Sequence, residues 1–125
     1  MSELVYRSMT LPDIEQVYEI ECSCFSQPWS VESLIGEVIR NDAASYVVAE
    51  DNGKIVGYAG MWQMFDEAHM TNIAVAAEYR CRGIATNLIL CLMQTAKANG
   101  GKRMTLEVRE FNHKAQRVYS ALGFR

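Results

Sequence analysis

The sequence predicts a mixed α/β sheet with helices on its faces, in the order β-α-α-β-β-β-α-β-α, and three observations carry that prediction. Apolar residues alternate in "ASYVVAE" and in "IVGYAGMWQM", either side of "DNGK", whose Asn52-Gly53 pair suits a tight hairpin. From Ile84 to Ala98 apolar residues recur at helical spacing. That helix lies between two strand-like runs, "MTNIAV" and "MTLEVR", so the unit is a right-handed crossover between parallel neighbours.

Each element has its own signal. Leu4 to Arg7 reads as a short first strand. Thr10 can cap a helix whose early Pro12 and Asp13 suit a first turn, and Ile14, Val17, Tyr18 and Glu21 continue it. "FSQPWS" breaks that helix, and Ser30 caps a second with Val31, Leu34, Ile35 and Val38 on one face. The hairpin follows, then a further strand running to Val75. In the third helix Ala85, Leu88, Ile89, Leu92 and Ala96 form the stripe to be buried, and Asn99-Gly100-Gly101 stop it. In the last strand Met104, Leu106 and Val108 share one face, leaving Thr105, Glu107 and Arg109 on the other. Asn112 can cap a final helix with Ala115, Val118, Tyr119 and Leu122 at helical spacing.

The 125 residues are expected to form a single domain, 1–125. Half are hydrophobic and 22% charged, an ordinary globular composition. A net charge of −3 argues against a general nucleic-acid binder. No apolar run approaches the roughly 20 residues of a membrane-spanning helix. "MSELVYRSMT" has no apolar core of a secretory leader, so a cytoplasmic setting is expected. Cys22, Cys24, Cys81 and Cys91, with His69 and His113, lack zinc-ligand spacing, so no metal is expected and the thiols are read as reduced. Two spellings mislead. "DEAH" matches a helicase box, but no phosphate-binding G-x-x-x-x-G-K-[ST] accompanies it, and "GYAG" sits inside a hairpin strand.

The chemistry collects beyond the carboxyl ends of the parallel strands. "YRCRGIA", Tyr79 to Ala85, hands a strand over to a helix whose first N–H groups lack internal partners. With Arg80, Arg82 and Gly83 the corner suits a phosphate or pyrophosphate, and it equally fits an ordinary turn carrying solvated arginines. Glu107, on the next strand, has the chemistry of a general base, and Asn112 lies just beyond it. Tyr119 follows Asn112 by seven positions, close to two helical turns, so the two share a side.

Taken together, "NIAV", "YRCRGIA", "LEVREFNHKA" and "VYSALGF" resemble the acetyl-CoA-dependent N-acetyltransferase superfamily known as GNAT, over Leu4 to Phe124. The most specific element is the R/Q-x-x-G-x-G/A loop, here Arg80-Cys81-Arg82-Gly83-Ile84-Ala85. "FSQPWS", "DEA" and "Y-x-x-LGF" further resemble the RimI type, which acetylates the N-terminal alanine of a small-subunit ribosomal protein. The resemblance implies that backbone groups of Ile73, Ala74 and Val75 hold the acetyl carbonyl and pantetheine arm. It gives the pyrophosphate to the loop opened by Arg80 and running from Cys81 through Arg82, Gly83, Ile84 and Ala85 to Thr86, and the pantetheine side to Asn112. Glu107 matches the family's proton acceptor and Tyr119 its proton donor. Phe25, Pro28 and Trp29 would wall the acceptor amine's pocket, with Tyr58 and Trp62 as contributors. The implied partner is an acceptor protein's N-terminus, with no direct nucleic acid and no membrane. A small amine, a lysine or an antibiotic remains an alternative acceptor, and a non-catalytic acetyl-CoA-binding module an alternative role. Family members continue with a C-terminal hairpin that this sequence, ending at Arg125, does not contain, so the last parallel strand is expected to carry an unpaired edge.

Overall fold

The structure, a computed structural model, describes residues 4–39, 43–80 and 82–106. Its strands are β1 (Leu4–Ser8), β2 (Ala44–Asp51), β3 (Lys54–Met64), β4 (Glu67–Val75) and β5 (Arg103–Leu106). Its α-helices are α1 (Ile14–Cys24), α2 (Val31–Ile39) and α3 (Ile84–Ala98), with short 3-10 turns at Leu11–Asp13 and Ala77–Tyr79. The strands lie in sequence order in one sheet; the first three junctions are antiparallel, while β4 and β5 run parallel across α3. The mixed α/β class and the order of elements as far as Leu106 follow the expectation. The final helix expected after Asn112 lies outside the described residues.

The hairpin forms where Asn52 and Gly53 both take left-handed φ, 51° and 87°, which the right-handed twist of the flanking strands favours. Ser30 caps α2 as expected, its Oγ accepting from the Ser33 N–H at 3.1 Å. The start of α1 differs from the expectation. Leu11–Asp13 is a 3-10 turn, and the α-helix opens only at Ile14. The physical reason is Asp13, which turns inward to Arg7. Both Arg7 Nη atoms donate to its carboxylate, at 2.7 and 2.9 Å, while Nη2 also reaches Glu50 at 2.7 Å. The Thr10 N–H and hydroxyl close on the same Asp13 oxygen at 2.8 and 2.9 Å. First the Arg7 bond, and then the Thr10 bonds, hold the Asp13 carboxyl down at about 2 against the desolvation of its burial.

The sheet separates two cores. Val47, Ala49, Val56, Ala59, Met61, Ala68 and Met70 pack under α3 against Leu88, Ile89 and Leu92. On the other face Tyr46, Val48, Ile55, Tyr58 and Ala74 meet Ile14, Val17, Ile20 and Leu34 of α1 and α2. One irregularity in β4 decides what the site presents. Gly60 pairs with Asn72 and Met61 with Met70, so Thr71 is an extra residue, a β-bulge. Ala68 and Met70 face α3 before it, and Ile73 and Val75 face α3 after it. Ala74 therefore looks toward α1 and α2.

Candidate functional site: the end of β4, the loop that follows and the face beneath α1

Beyond the bulge, Ile73, Ala74 and Val75 are buried by their side chains, so backbone is what this stretch can offer a ligand. The Ala76 N–H closes onto the Val56 C=O at 2.8 Å, anchoring the strand's exit. The chain then turns through Ala77–Tyr79. Tyr79 is held by its hydroxyl donating to Asp51 at 2.8 Å, the first cause of that phenol's raised pKa. Arg82 and Lys54 both stand over its ring, 5.0 and 5.8 Å from the centroid.

Gly83 closes the loop at φ 79° and ψ 7°, a left-handed position that an L side chain enters only with strain. A Cβ built there meets nothing within 4 Å, so the glycine faces open space. The first intrahelical bond of α3 runs from the Asn87 N–H to the Gly83 C=O at 3.0 Å. The N–H groups of Ile84, Ala85 and Thr86 stand ahead of it, at the positive end of the helix dipole, and the first turn carries no acid. Ile84 is buried and fixes that end of the helix against the sheet. Among the described residues the corner thus fits an anionic diphosphate: helix-start N–H groups with no side-chain cap, a cation at Arg82, and open space at Gly83.

Arg80, expected among the phosphate ligands, also makes two contacts within the protein. Its Nε donates to the Val75 C=O at 3.2 Å and its Nη2 lies 3.2 Å from Cys24 Sγ, at the C-terminal end of α1.

Cys24 leads directly into the segment expected to wall the acceptor. Phe25, Pro28 and Trp29 are half-buried, and Phe25 and Trp29 pack on the core beneath α1 and α2. Glu21 sets their course: the Phe25 N–H donates to its backbone carbonyl at 3.0 Å, and the Trp29 N–H donates to its Oε2 at 2.9 Å. Sequence reasoning read Glu21 only as a helix position. Its signal was a carboxylate at a helical spacing otherwise occupied by apolar residues, and it is fully buried. Glu37, also unremarked in the sequence, accepts from Trp62 Nε1 at 2.6 Å and from the Tyr46 hydroxyl at 3.1 Å. Burial first, then the Glu37 charge, push the Tyr46 phenol well above its usual range. Tyr58 is wholly buried here, whereas Trp62 is 41% exposed. His69 meets Thr105 through a hydrogen bond across the parallel junction.

The structure therefore places Ile73–Val75, Arg80 and Arg82–Thr86 at one end of the sheet and joins them to the Phe25–Trp29 segment through Arg80. Cys81, Glu107, Asn112 and Tyr119 lie outside the described residues. Among the described residues no three His, Cys, Asp or Glu side chains converge as metal ligands, and no helix is long and apolar enough to cross a membrane.

A mixed sheet whose parallel junction brackets a glycine-opened helix is shared with the acetyltransferase (GNAT) family, whose model matches residues 14–124; the chain belongs to that family, and the class is that of N-acetyltransferases. Among its relatives is a Bacillus subtilis (strain 168) protein named as a candidate ribosomal protein bS18-alanine N-acetyltransferase. It is 41% identical over 117 residues, 94% of this chain and 78% of the relative. The crystal structure of the ribosomal-protein-S18-alanine N-acetyltransferase from Escherichia coli superposes with a TM-score of 0.85 at 27% identity, covering 97% of this chain and 77% of that one. The PaiA N-acetyltransferase from Thermoplasma acidophilum, solved in complex with coenzyme A, shares the fold at a TM-score of 0.87 and 18% identity, over 98% of this chain and 90% of that one.

Proposed function

We propose that the protein transfers an acetyl group from acetyl-CoA to the N-terminal alanine α-amine of a small-subunit ribosomal protein, in the cytoplasm. The observation that carries this reading is the 41% identity, over 94% of the chain, to a relative named for that activity. The free N–H groups and open glycine at the start of α3 support the cofactor half of it.

Bound acetyl-CoA supplies an activated acetyl thioester. The loop from Cys81 to Thr86, with Arg82 beside it, holds the diphosphate, and Asn112 meets the pantetheine arm. Backbone N–H groups of Ile73–Val75 lie against the acetyl carbonyl and stabilise negative charge developing on its oxygen. Glu107 accepts, through water, the proton the amine must lose; an α-amine near pKa 8 needs less help than a lysine near 10.4. Tyr119 gives a proton to the departing sulfur as the carbon–nitrogen bond forms and the carbon–sulfur bond breaks. Phe25, Pro28 and Trp29 wall the amine's approach. The roles of Glu107, Asn112 and Tyr119 rest on their match to the family's sequence pattern.

The test is thiol release from acetyl-CoA with peptides bearing a free N-terminal alanine, a blocked N-terminus with an internal lysine, a polyamine or an aminoglycoside. Release with the alanine peptide alone is expected. Release only with another acceptor would replace the substrate, and binding of acetyl-CoA without release would leave a non-catalytic module. Glu107→Gln is expected to slow turnover at neutral pH by roughly 10²-fold or more while acetyl-CoA affinity stays within about twofold; full activity would remove Glu107 from the base role.

A further inference from the structure

We propose that Arg80 is a positioning residue rather than a phosphate ligand: it clamps the end of β4 to the end of α1 and so makes the cofactor loop and the acceptor wall move as one. The inference rests on the acetyl-CoA reading above and assigns a division of labour within that site.

Three contacts make the clamp. Arg80 Nε donates to the Val75 C=O at 3.2 Å, Arg80 Nη2 lies 3.2 Å from Cys24 Sγ, and the Cys24 thiol donates to the same Val75 C=O at 3.6 Å. They form a closed triangle spanning 56 residues of sequence between Cys24 and Arg80. Each corner belongs to a different part of the site. Val75 ends the strand whose backbone faces the pantetheine arm, Arg80 opens the diphosphate loop, and Cys24 is the last residue of α1 before Phe25 and Trp29.

The chemistry favours a clamp over a phosphate grip. A guanidinium presents five donors in a rigid plane and loses less freedom per hydrogen bond than a lysine does. The Val75 carbonyl takes two of the clamp's donors and is fixed in direction, so the backbone on either side of it is oriented before any ligand arrives. Arg82, stacked on Tyr79 beside the Gly83 opening, is a cation placed to face phosphate. A thiol is a weak partner for a guanidinium unless it also donates elsewhere, and Cys24 donates to Val75. Because the clamp joins both half-sites, any effect of filling one on affinity for the other must be reciprocal.

Two ligands separate a clamp from a phosphate ligand: acetyl-CoA and S-acetylpantetheine, which has the same thioester arm and no phosphate. Calorimetric affinities for both, and the alanine peptide's KM, would be measured in Arg80→Met, Cys24→Ala, Cys24→Ser and the Arg80→Met/Cys24→Ala pair, each with its thermal midpoint. The expectation is a loss of about tenfold in Arg80→Met for acetyl-CoA and for S-acetylpantetheine alike, with a rise in acceptor KM. Cys24→Ser, which keeps a donor and an acceptor, is expected within about twofold of the parent. Cys24→Ala loses about threefold, and the pair loses no more than Arg80→Met alone, the sign of a shared contact. Overturning results are a loss confined to acetyl-CoA, which would make Arg80 a phosphate ligand, or losses that multiply in the pair. Failure of the parent protein to acetylate any amine, with these affinities intact, would instead count against the functional reading and leave the clamp standing.

Discussion

Gly83 and Gly60 show two different reasons for a missing side chain. Gly83 lies at φ 79° with open space before it, so Gly83→Val introduces backbone strain and fills the space that the proposed acetyl-CoA reading gives to a diphosphate. Acetyl-CoA binding is expected to fall below detection by calorimetry while the thermal midpoint drops by only a few degrees; normal affinity would unseat the loop assignment. Gly60 lies flat under the Tyr46 ring, and a Cβ there would overlap ring carbons. Gly60→Ala is expected to cost about 1–3 kcal/mol in urea unfolding at pH 7, because an aromatic ring fixed by Glu37 cannot step aside. Residues of the first kind were legible in the sequence, since a glycine between a strand and a helix has a local meaning. Gly60 was not: its constraint comes from a tyrosine fourteen positions earlier on the neighbouring strand. Glu21 and Glu37 were hidden for the same reason. A carboxylate's partners are set by tertiary packing, and helical spacing does not reveal them.

At the scale of elements, spacing announced nearly everything that was regular. The hairpin at Asn52-Gly53, the Ser30 cap and the span of α3 stand where local chemistry puts them. The start of α1 is the instructive departure, because Pro12 and Asp13 do suit a first helical turn. A distant cation, Arg7, draws Asp13 inward and tightens the turn to 3-10. That joint has a measurable cost and a measurable pH dependence. Arg7→Met leaves the buried Asp13 carboxylate without its main partner and is expected to destabilise the fold by about 3 kcal/mol at pH 7. The Asp13 value is lower in the folded chain than in the unfolded one, so its contribution is complete above the ordinary carboxylate range. It is lost as pH falls from about 4 toward about 2. The contribution is on the order of 2 kcal/mol, and urea midpoints across that interval should fall more steeply in the parent than in Arg7→Met.

The whole molecule divides its work between the two faces of one sheet. The face under α3 is almost wholly apolar and fixes the start of that helix, where anion chemistry is available. The opposite face mixes apolar packing with the buried polar groups of Glu21, Tyr46, Tyr58 and Asn72 and with Glu37, which accepts from Tyr46 and Trp62. If the cofactor site acts as one unit, acetyl-CoA at about a hundred times its Kd should stabilise the fold by about 2.7 kcal/mol, which for a chain of this size is about 10 °C. Thermal scans with and without acetyl-CoA check this, and an unmoved midpoint would mean that the loop is not a binding site.

The bulge at Thr71 gives the chain a counting rule. Inward positions on β4 are even before it and odd after it, so one inserted residue sets the parity of everything the strand shows downstream. "MTNIAV" carries the mark, two adjacent polar residues where strict alternation would have one. A ladder running regularly through Thr71 with no change of length would turn Ile73 and Val75 toward α1 and Ala74 toward α3, whereas deleting Thr71 removes the extra residue together with the bulge and leaves all three facing as they do. The facing downstream thus belongs to the count of residues and not to the Thr71 side chain, and Thr71→Ala, which keeps the extra residue, should leave it unchanged.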